Sequence, residues 1–564
     1  MEFKLPIYYC KNKKEITDEM CKDLELVEGT DEDNKPMYEH IFRPSMEISK
    51  DFLKKWYKYY TTDTDFLSDS QKLFKKMNKE AVQKENIETA WKDWKEIREN
   101  TKFLEIYKYI EWDKIKFLNN SLVFITLLSY YNLFSPVVNL LIPVIIMFVP
   151  FFILKIMKLP INFATYKKIL YKQLKNHILG RMFSEFGKVK WDKKVYMVFS
   201  LIMYVLNIYQ NFVSCYKFYK NMYKINDYIA NLKQYLTYSM DKMDTVISHT
   251  QDLGTYRIWT IKLQECRDSL KKFHDKLSLI DNTAISIKKV MQLGYVMQQF
   301  YSLYDNDEIN EAMHFSFDFN SYTDNIVGLN QNIREKFVNY SKFTSKYSTV
   351  IKDCYYPPLM NDKPVKNDII LKNNKIITGP NAAGKTTIIK ATILNLLFSQ
   401  QIGCGFFTTA KMHPYHNLHC YLNIPDTSGR DSLFQAEARR CKEILNIIKK
   451  YPKERHFCIF DELYSGTNPY EAIGSAYSFL LHISKNKNVH FMLTTHYIKL
   501  CTLIEKQNNI HNYNMEATIK KNVPTYSYNL VRGISEIKGG VCVLKQLRYP
   551  RNIIRLTNKI MRQL

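Results

Sequence analysis

Apolar and polar positions divide the chain into regions of different texture. Residues 117–154 hold 38 successive positions without a charge, most of them Ile, Leu, Val and Phe. A bilayer core takes about 20 helical residues, so two short spans fit if Pro136 and its neighbours from Asn132 to Asn139 form a turn. Lys114 and Lys116 precede the stretch, Lys155 and Lys158 follow it, and the turn has no Lys or Arg. The bias of basic residues toward the cytosol then places both flanks there. The pattern predicts a transmembrane hairpin over 117–156; the alternative is a buried apolar hairpin in a soluble domain. A second run, 195–216, carries Ser200, Tyr204, Asn207, Asn211 and Ser214 at intervals of four, three, four and three. That spacing lines one helix face, predicting a packing or interfacial helix, with a third span as the alternative.

From 161 to 356 no proline interrupts 196 positions, and glycine is sparse, which predicts long helices. Within them, 223–243 and 260–279 mix apolar residues with Lys, Asp and Gln at helical intervals, so most of their aromatic and Met side chains read as core. Residues 1–110 show mixed helical signals and no motif tied to chemistry. After Tyr356 the texture changes to short apolar runs at 369–371, 375–380, 456–462 and 489–496. Strands alternating with helices imply a parallel α/β sheet.

A net charge of +25 and a pI near 9.3 suit a polyanion, either nucleic acid or an anionic membrane surface. Part of that basicity follows from a sequence rich in Lys, Asn, Ile and Tyr, the residues an AT-rich genome favours. Eleven cysteines include no C-x-x-C pair and no zinc-like Cys/His cluster, so neither a disulfide nor a structural zinc is expected. The N-terminal MEFKLPIYYCKNKKEI lacks an apolar stretch long enough for a secretory leader, predicting an uncleaved, unsecreted chain.

The strongest chemical signal is TGPNAAGKTT, in which Gly379, Gly384, Lys385 and Thr386 satisfy G-x-x-x-x-G-K-[ST], the Walker A pattern. It lies between a predicted strand, 375–378, and a predicted helix, 386–397. Backbone N–H groups of Gly379, Pro380's successor Asn381, Gly384 and Thr387 can therefore cradle phosphates at a helix N-terminus. Lys385 would neutralise the β and γ phosphates of ATP, and the Thr386 hydroxyl would ligate Mg²⁺. About 75 residues on, the strand-like 457–460 ends in Asp461 and Glu462. Asp461 can hold the Mg²⁺ shell and Glu462 can polarise the attacking water. His496, closing the run 489–495, can serve as a polar γ-phosphate sensor.

The segments between these elements resemble the MutS family of DNA mismatch-repair and recombination proteins. Asp426 followed by SGRDSLFQAEARRCKEIL (428–445) is similar to the family's Asp and Gly-x-Ser-x-Phe-x-x-Glu stretch, with Ser432, Phe434 and Glu437 at its positions. DELYSGTNPYEA (461–472) resembles D-E-x-x-x-G-T, and TTHY (494–497) resembles T-H-Y/F. The tail 528–554 matches with Gly533, Ser535, Gly540 and Pro550, and Pro358, Leu359, Val365, Asn367 and Asp368 resemble the approach to the P-loop. The resemblance implies an α/β P-loop NTPase domain of the ABC/MutS type over 357–564, with a helical tail, preceded by a mainly α-helical region. It also implies a homodimer with two composite ATP sites, in which Ser432 approaches the γ-phosphate held by the other subunit. The region 161–356 would then correspond to helical core and levers.

Several features depart from the family. The chain before the P-loop is too short for the full set of mismatch-reading, connector, core and clamp domains. No Phe-x-Glu wedge stands in a glycine-flanked N-terminal setting; Phe103-Leu104-Glu105 and Phe183-Ser184-Glu185 sit in helical patterns. Asn514 stands where the family places an adenine-stacking His, and no nuclease domain follows before Leu564. The combined expectation is a reduced, membrane-associated MutS-like ATPase that clamps branched or recombining DNA, its ATPase domain on the cytosolic side. The alternative is a membrane-associated scaffolding or remodelling ATPase that reuses the dimer switch without DNA. An ABC transporter subunit is disfavoured, because L-S-G-G-Q is absent.

Overall fold

The computed structural model describes the chain apart from residues 1, 30–33, 80, 157, 159–161, 175–179, 183–185, 188, 282–286, 346–347, 423–431, 521–522, 536, 538–540, 542–543, 546 and 561–564. Asp426, the start of the 428–445 motif, the 183–185 triplet and Gly540 therefore lie outside the described residues. The chain forms two units, one of residues 2–84, 243–265 and 315–564, the other of residues 85–242 and 266–314. Residues 2–84 thus fold with the α/β sheet, a long-range association that local pattern does not reveal.

In the first unit the strands are β1 (Lys13–Glu15), β2 (Tyr59–Thr61), β3 (Asn339–Phe343), β4 (Thr349–Cys354), β5 (Asn367–Leu371), β6 (Asn374–Thr378), β7 (Cys404–Gly405), β8 (Thr409–Met412), β9 (Asn417–Tyr421), β10 (His456–Asp461), β11 (Val489–Thr494), β12 (Ile510–Lys520) and β13 (Val523–Arg532). The main sheet runs β13-β12-β6-β11-β10-β9, parallel from β12 to β9, with β13 antiparallel at the edge. A second sheet runs β5-β4-β8-β3-β7. β6, β10 and β11 carry apolar centres at 376–377, 457–460 and 491–493 because both faces of a parallel sheet are covered; Ile376, Cys458, Phe460, Phe491 and Leu493 share one core with the helices Leu433–Lys450 and Pro469–Ser484.

The helix Lys385–Ile402 is buried on nearly every side, so its polar residues must find partners inside. Gln401 Nε2 donates to Trp56 O at 2.9 Å and Tyr59 O at 3.0 Å, and Gln400 Nε2 donates to Thr61 O at 3.2 Å. Lys390 pairs with Glu25 at 2.9 Å, both little exposed. The N-terminal segment is therefore the cover of the P-loop helix. Close backbone approach fixes the layer further: a Cβ on Gly328 would fall 1.8 Å from Phe42 O.

The second unit is helical. Phe103 stacks on Tyr304 at 4.2 Å, and Asn119 closes a pair of hydrogen bonds with the backbone of Ile110. Residues 122–156 form one continuous helix, Leu122–Ile156, so the expected hairpin turn at Pro136 does not exist. Asn132, Ser135 and Asn139, within the expected turn, recur at helical intervals on the half-buried to buried stripe that includes Pro136. A proline can remain inside such a helix because neighbouring elements cover the groups it disturbs. Near its start the helix meets Leu293–Asp305, where a Cβ on Gly294 would fall 1.9 Å from Thr126 Oγ1. The run 195–216 lies inside the 60-residue helix Trp191–Thr250. Two described helices, within Leu122–Ile156 and Trp191–Thr250, are long and apolar enough to cross a membrane.

Candidate nucleotide-binding site

The site forms at the C-terminal ends of β6, β10 and β11, where an open parallel sheet presents its crevice. β6 ends at Thr378 and the loop 379–384 turns into the helix Lys385–Ile402. Gly384 caps that helix at φ +88°, and Ala382 also has positive φ, +62°. A side chain at 384 would be strained as well as crowded, its Cβ 3.3 Å from the Tyr528 ring. The first N–H groups of the helix have no intrahelical partner by geometry, which suits an anion. Asn381 is exposed at the loop tip, Pro380 is buried, and Thr387 is half-buried on the first helical turn.

Lys385 is buried. Its Nζ donates to Gly379 O at 3.1 Å and Pro380 O at 3.2 Å, and lies 3.0 Å from His496 Nε2. Burial pushes its pKa down, opposed by the charges of Glu462 and Asp461. Thr386 Oγ1 donates to Asp461 Oδ2 at 2.8 Å, and Thr494 Oγ1 donates to the other carboxylate oxygen. Asp461 is thus held on both sides beside the first helical turn. Glu462 adopts the left-handed region, φ +51°, with its N–H donating to Thr494 O at 3.1 Å. That turn carries its carboxylate out of the strand to His496 Nε2 at 3.1 Å, and the hydrogen bond from His496 lowers its pKa.

Lys385, Thr386, Asp461, Glu462 and His496 are therefore brought into one cluster from three separate segments. Ser432 does not join it. It is exposed and caps the helix Leu433–Lys450, accepting from Gln435 N at 3.3 Å while Gln435 Oε1 accepts from Ser432 N at 3.0 Å. The other motif residues bind that helix to the loop after Glu462. Buried Glu437 accepts from Ser465 N and Ser465 Oγ, each at 3.0 Å, and from Gly466 N at 3.1 Å. Phe434 lies against Tyr464 at 5.6 Å. Gly466 has no room for a side chain, its Cβ position being 2.7 Å from Phe434 N.

Two residues near the mouth carry roles that the sequence reading did not give them. Tyr528 has a left-handed backbone, φ +58°, and presents a partly exposed ring over Gly384. Asn367 pins that conformation, donating to Tyr528 O at 3.0 Å and accepting from Leu530 N at 2.7 Å. Asn514, which stands where many relatives carry an adenine-stacking His, sits in register with Thr378 and Val531, and a Cβ on Gly384 would meet the Tyr528 ring. No local pattern marks a tyrosine on an edge strand for such a place. The residues fit Mg²⁺ and a nucleoside triphosphate: a buried ammonium held by two loop carbonyls, a hydroxyl beside a carboxylate, and a glycine cradle.

This strand-loop-helix with its carboxylate pair defines a P-loop nucleotide-binding domain. The family model described as MutS domain V matches residues 375–564, and this C-terminal domain belongs to the MutS family. The chain is 30% identical over 215 residues to DNA mismatch repair protein MutS of Bacteroides fragilis, covering 36% of this chain and 24% of that protein. It is 31% identical over 209 residues to the MutS of Parabacteroides distasonis, covering 36% and 23%. DNA mismatch repair protein MSH2 of Saccharomyces cerevisiae matches at 28% over 211 residues, 35% and 21%. The chain therefore spans less than a quarter of the length of these relatives.

Proposed function

We propose that the chain is a membrane-tethered, MutS-like ATPase that acts as a homodimeric clamp on branched or recombining DNA. The observation that carries the reading is the cluster of Lys385, Thr386, Asp461, Glu462 and His496 at the end of a MutS-family sheet. Bound Mg²⁺ and ATP would supply the scissile phosphoanhydride and the charge that the pocket neutralises. Lys385 exchanges its carbonyl partners for phosphate oxygens. Thr386 and Asp461 hold the metal shell, and the glycine loop fixes the phosphate chain. Glu462, its carboxylate kept ionised by His496, orients and polarises water, and the exposed Ser432 completes the site of a second copy. Tyr528 offers a stacking face for the base.

A DNA role is supported by the relatives' names and by the net charge of +25. Contacts mainly to phosphates would make binding fall steeply with salt and show no preference for a mispair. The second reading, a scaffolding or remodelling ATPase without DNA, is favoured by the exposed apolar helices. The deciding experiment measures binding of the purified full chain to homoduplex, mismatched and branched DNA and to anionic vesicles across a salt series. Binding to branched DNA that weakens with salt supports the clamp. Vesicle binding without DNA binding supports the second reading, and a mismatch preference above about tenfold, about 1.4 kcal/mol, overturns the absence of a mismatch reader.

A further inference from the structure

We infer that the helices Leu122–Ile156 and Trp191–Thr250 cross a lipid bilayer as one antiparallel two-helix pair, joined from the far side. The inference rests on the membrane tether of the proposed function and gives that tether its topology. Both helices leave the same base: Leu122 follows the Ile110–Asn119 pair, and Asn221 Nδ2 donates to Ile106 O at 2.7 Å. Farther out, Cys215 Sγ donates to Leu133 O at 3.2 Å. One chain runs away from the base and the other returns to it, so that contact fixes the register.

At that register Lys155 stands level with Lys193 and Lys194, and Lys217 stands level with Tyr131. The shared band, 132–154 against 195–216, contains no charged residue. Twenty-two helical residues span about 33 Å, against a hydrocarbon core of about 30 Å. Tyr131 and Tyr216 sit at one border, and Trp191 and Tyr196 at the other, as aromatic side chains do at membrane interfaces.

The amphipathicity of the pair is inside out. Along the second helix Ser200, Tyr204, Asn211 and Ser214 are half-buried, with Asn207 and Gln210 exposed, whereas Val198, Phe199, Ile202, Val205, Leu206 and Phe212 are exposed. On the first, Ser129 and Ser135 are buried, whereas Phe134, Val138, Leu141, Ile145 and Phe148 are exposed. A soluble unit buries the second set and wets the first; hydrocarbon solvent reverses the preference. An exposed apolar area of this extent exceeds what soluble proteins tolerate. Lipid accounts for the lysines at both borders, which a second protein copy does not require.

Residues 157–190 carry eight Lys and Arg against one Glu; within them the helix Phe163–Leu174 turns back along the first span, Tyr166 Oη donating to Met147 O, so its Lys167, Lys168 and Lys172 must reach the far border along their own flexible stems. Two crossings return the chain to its starting side, so the segments before Leu122 and after Tyr216 share one compartment.

The test inserts the full chain into preformed sealed vesicles of phosphatidylcholine and phosphatidylglycerol and adds trypsin outside. A protected fragment of about 100 residues is expected, bounded by cuts near Lys116 and Lys217, and detergent should abolish its protection. Outside cleavage between Lys158 and Lys190 overturns the inference, because the connecting segment has then not crossed. So does a chain that fails to float with vesicles and instead forms a soluble oligomer, since the apolar face is then covered by a second copy. ATP turnover and DNA binding are measured on the same vesicles. Their absence beside an intact protected fragment removes the clamp reading and leaves the two-span topology standing.

Discussion

The nucleotide edge of the main sheet and the paired apolar helices solve opposite problems with the same side-chain chemistry. In the sheet, apolar strands are buried and polar residues gather where the strands end, so Lys385, Asp461, Glu462 and His496 converge on one small volume. In the helices, Ser129 and Ser135 lie under cover while most of the large apolar side chains face outward. Burial direction, rather than composition, is what separates the two regions.

The largest effect should come from the sheet edge. Lys385→Ala removes the cation that neutralises phosphate and should abolish ATP binding, whereas Glu462→Gln should retain binding and lower turnover by about 10²–10³-fold. Equilibrium nucleotide binding and single-turnover hydrolysis separate the two; equal hydrolysis by wild type and Glu462→Gln would remove Glu462 from its role. The contrasting region is probed by Leu206→Lys, at an exposed position near the centre of the apolar band. A lysine at mid-bilayer costs about 2.5–3.5 kcal/mol, so vesicle partitioning should fall about 100-fold while ATP turnover in detergent stays at the wild-type level. A parallel loss of turnover would show that the two regions are not independent.

A smaller change is expected at Glu437, whose carboxylate serves three donors in the loop after Glu462. Glu437→Ala leaves those donors unpaired and should destabilise the domain by about 2 kcal/mol, read from urea unfolding; Glu437→Gln should recover part of the loss. An unchanged unfolding midpoint would mean that water replaces the carboxylate. The mildest effect belongs to Tyr528→Ala. Loss of a stacking face worth about 1–3 kcal/mol should raise the KM for ATP about tenfold with kcat preserved, and Tyr528→Phe should behave like wild type. A fall in kcat instead would place Tyr528 in loop positioning rather than base contact.

What was legible in the sequence was chemistry held close along the chain. The P-loop announces itself because a phosphate cradle needs a tight glycine turn, a lysine and a hydroxyl within a few residues, and Asp461 and Glu462 because a buried strand ends at them. These signals survive without knowledge of the fold since each is set by local backbone geometry. The turn proposed at Pro136 failed for a related reason: Asn132, Ser135 and Asn139 look alike as turn residues and as a helix stripe, and only their neighbours decide between the two.

The sequence by itself therefore determined the P-loop motif with its carboxylate pair, the parallel sheet and the existence of charge-free helical lengths. Tertiary structure alone decided that residues 2–84 cover the P-loop helix, that Asn367 turns Tyr528 toward Gly384, that Glu437 clasps Ser465 and Gly466, and that the apolar faces of 122–156 and 195–216 point outward. Each of these depends on contacts between positions far apart in the chain. The free energy of such a contact depends on what folding brings opposite a side chain, which no local pattern specifies.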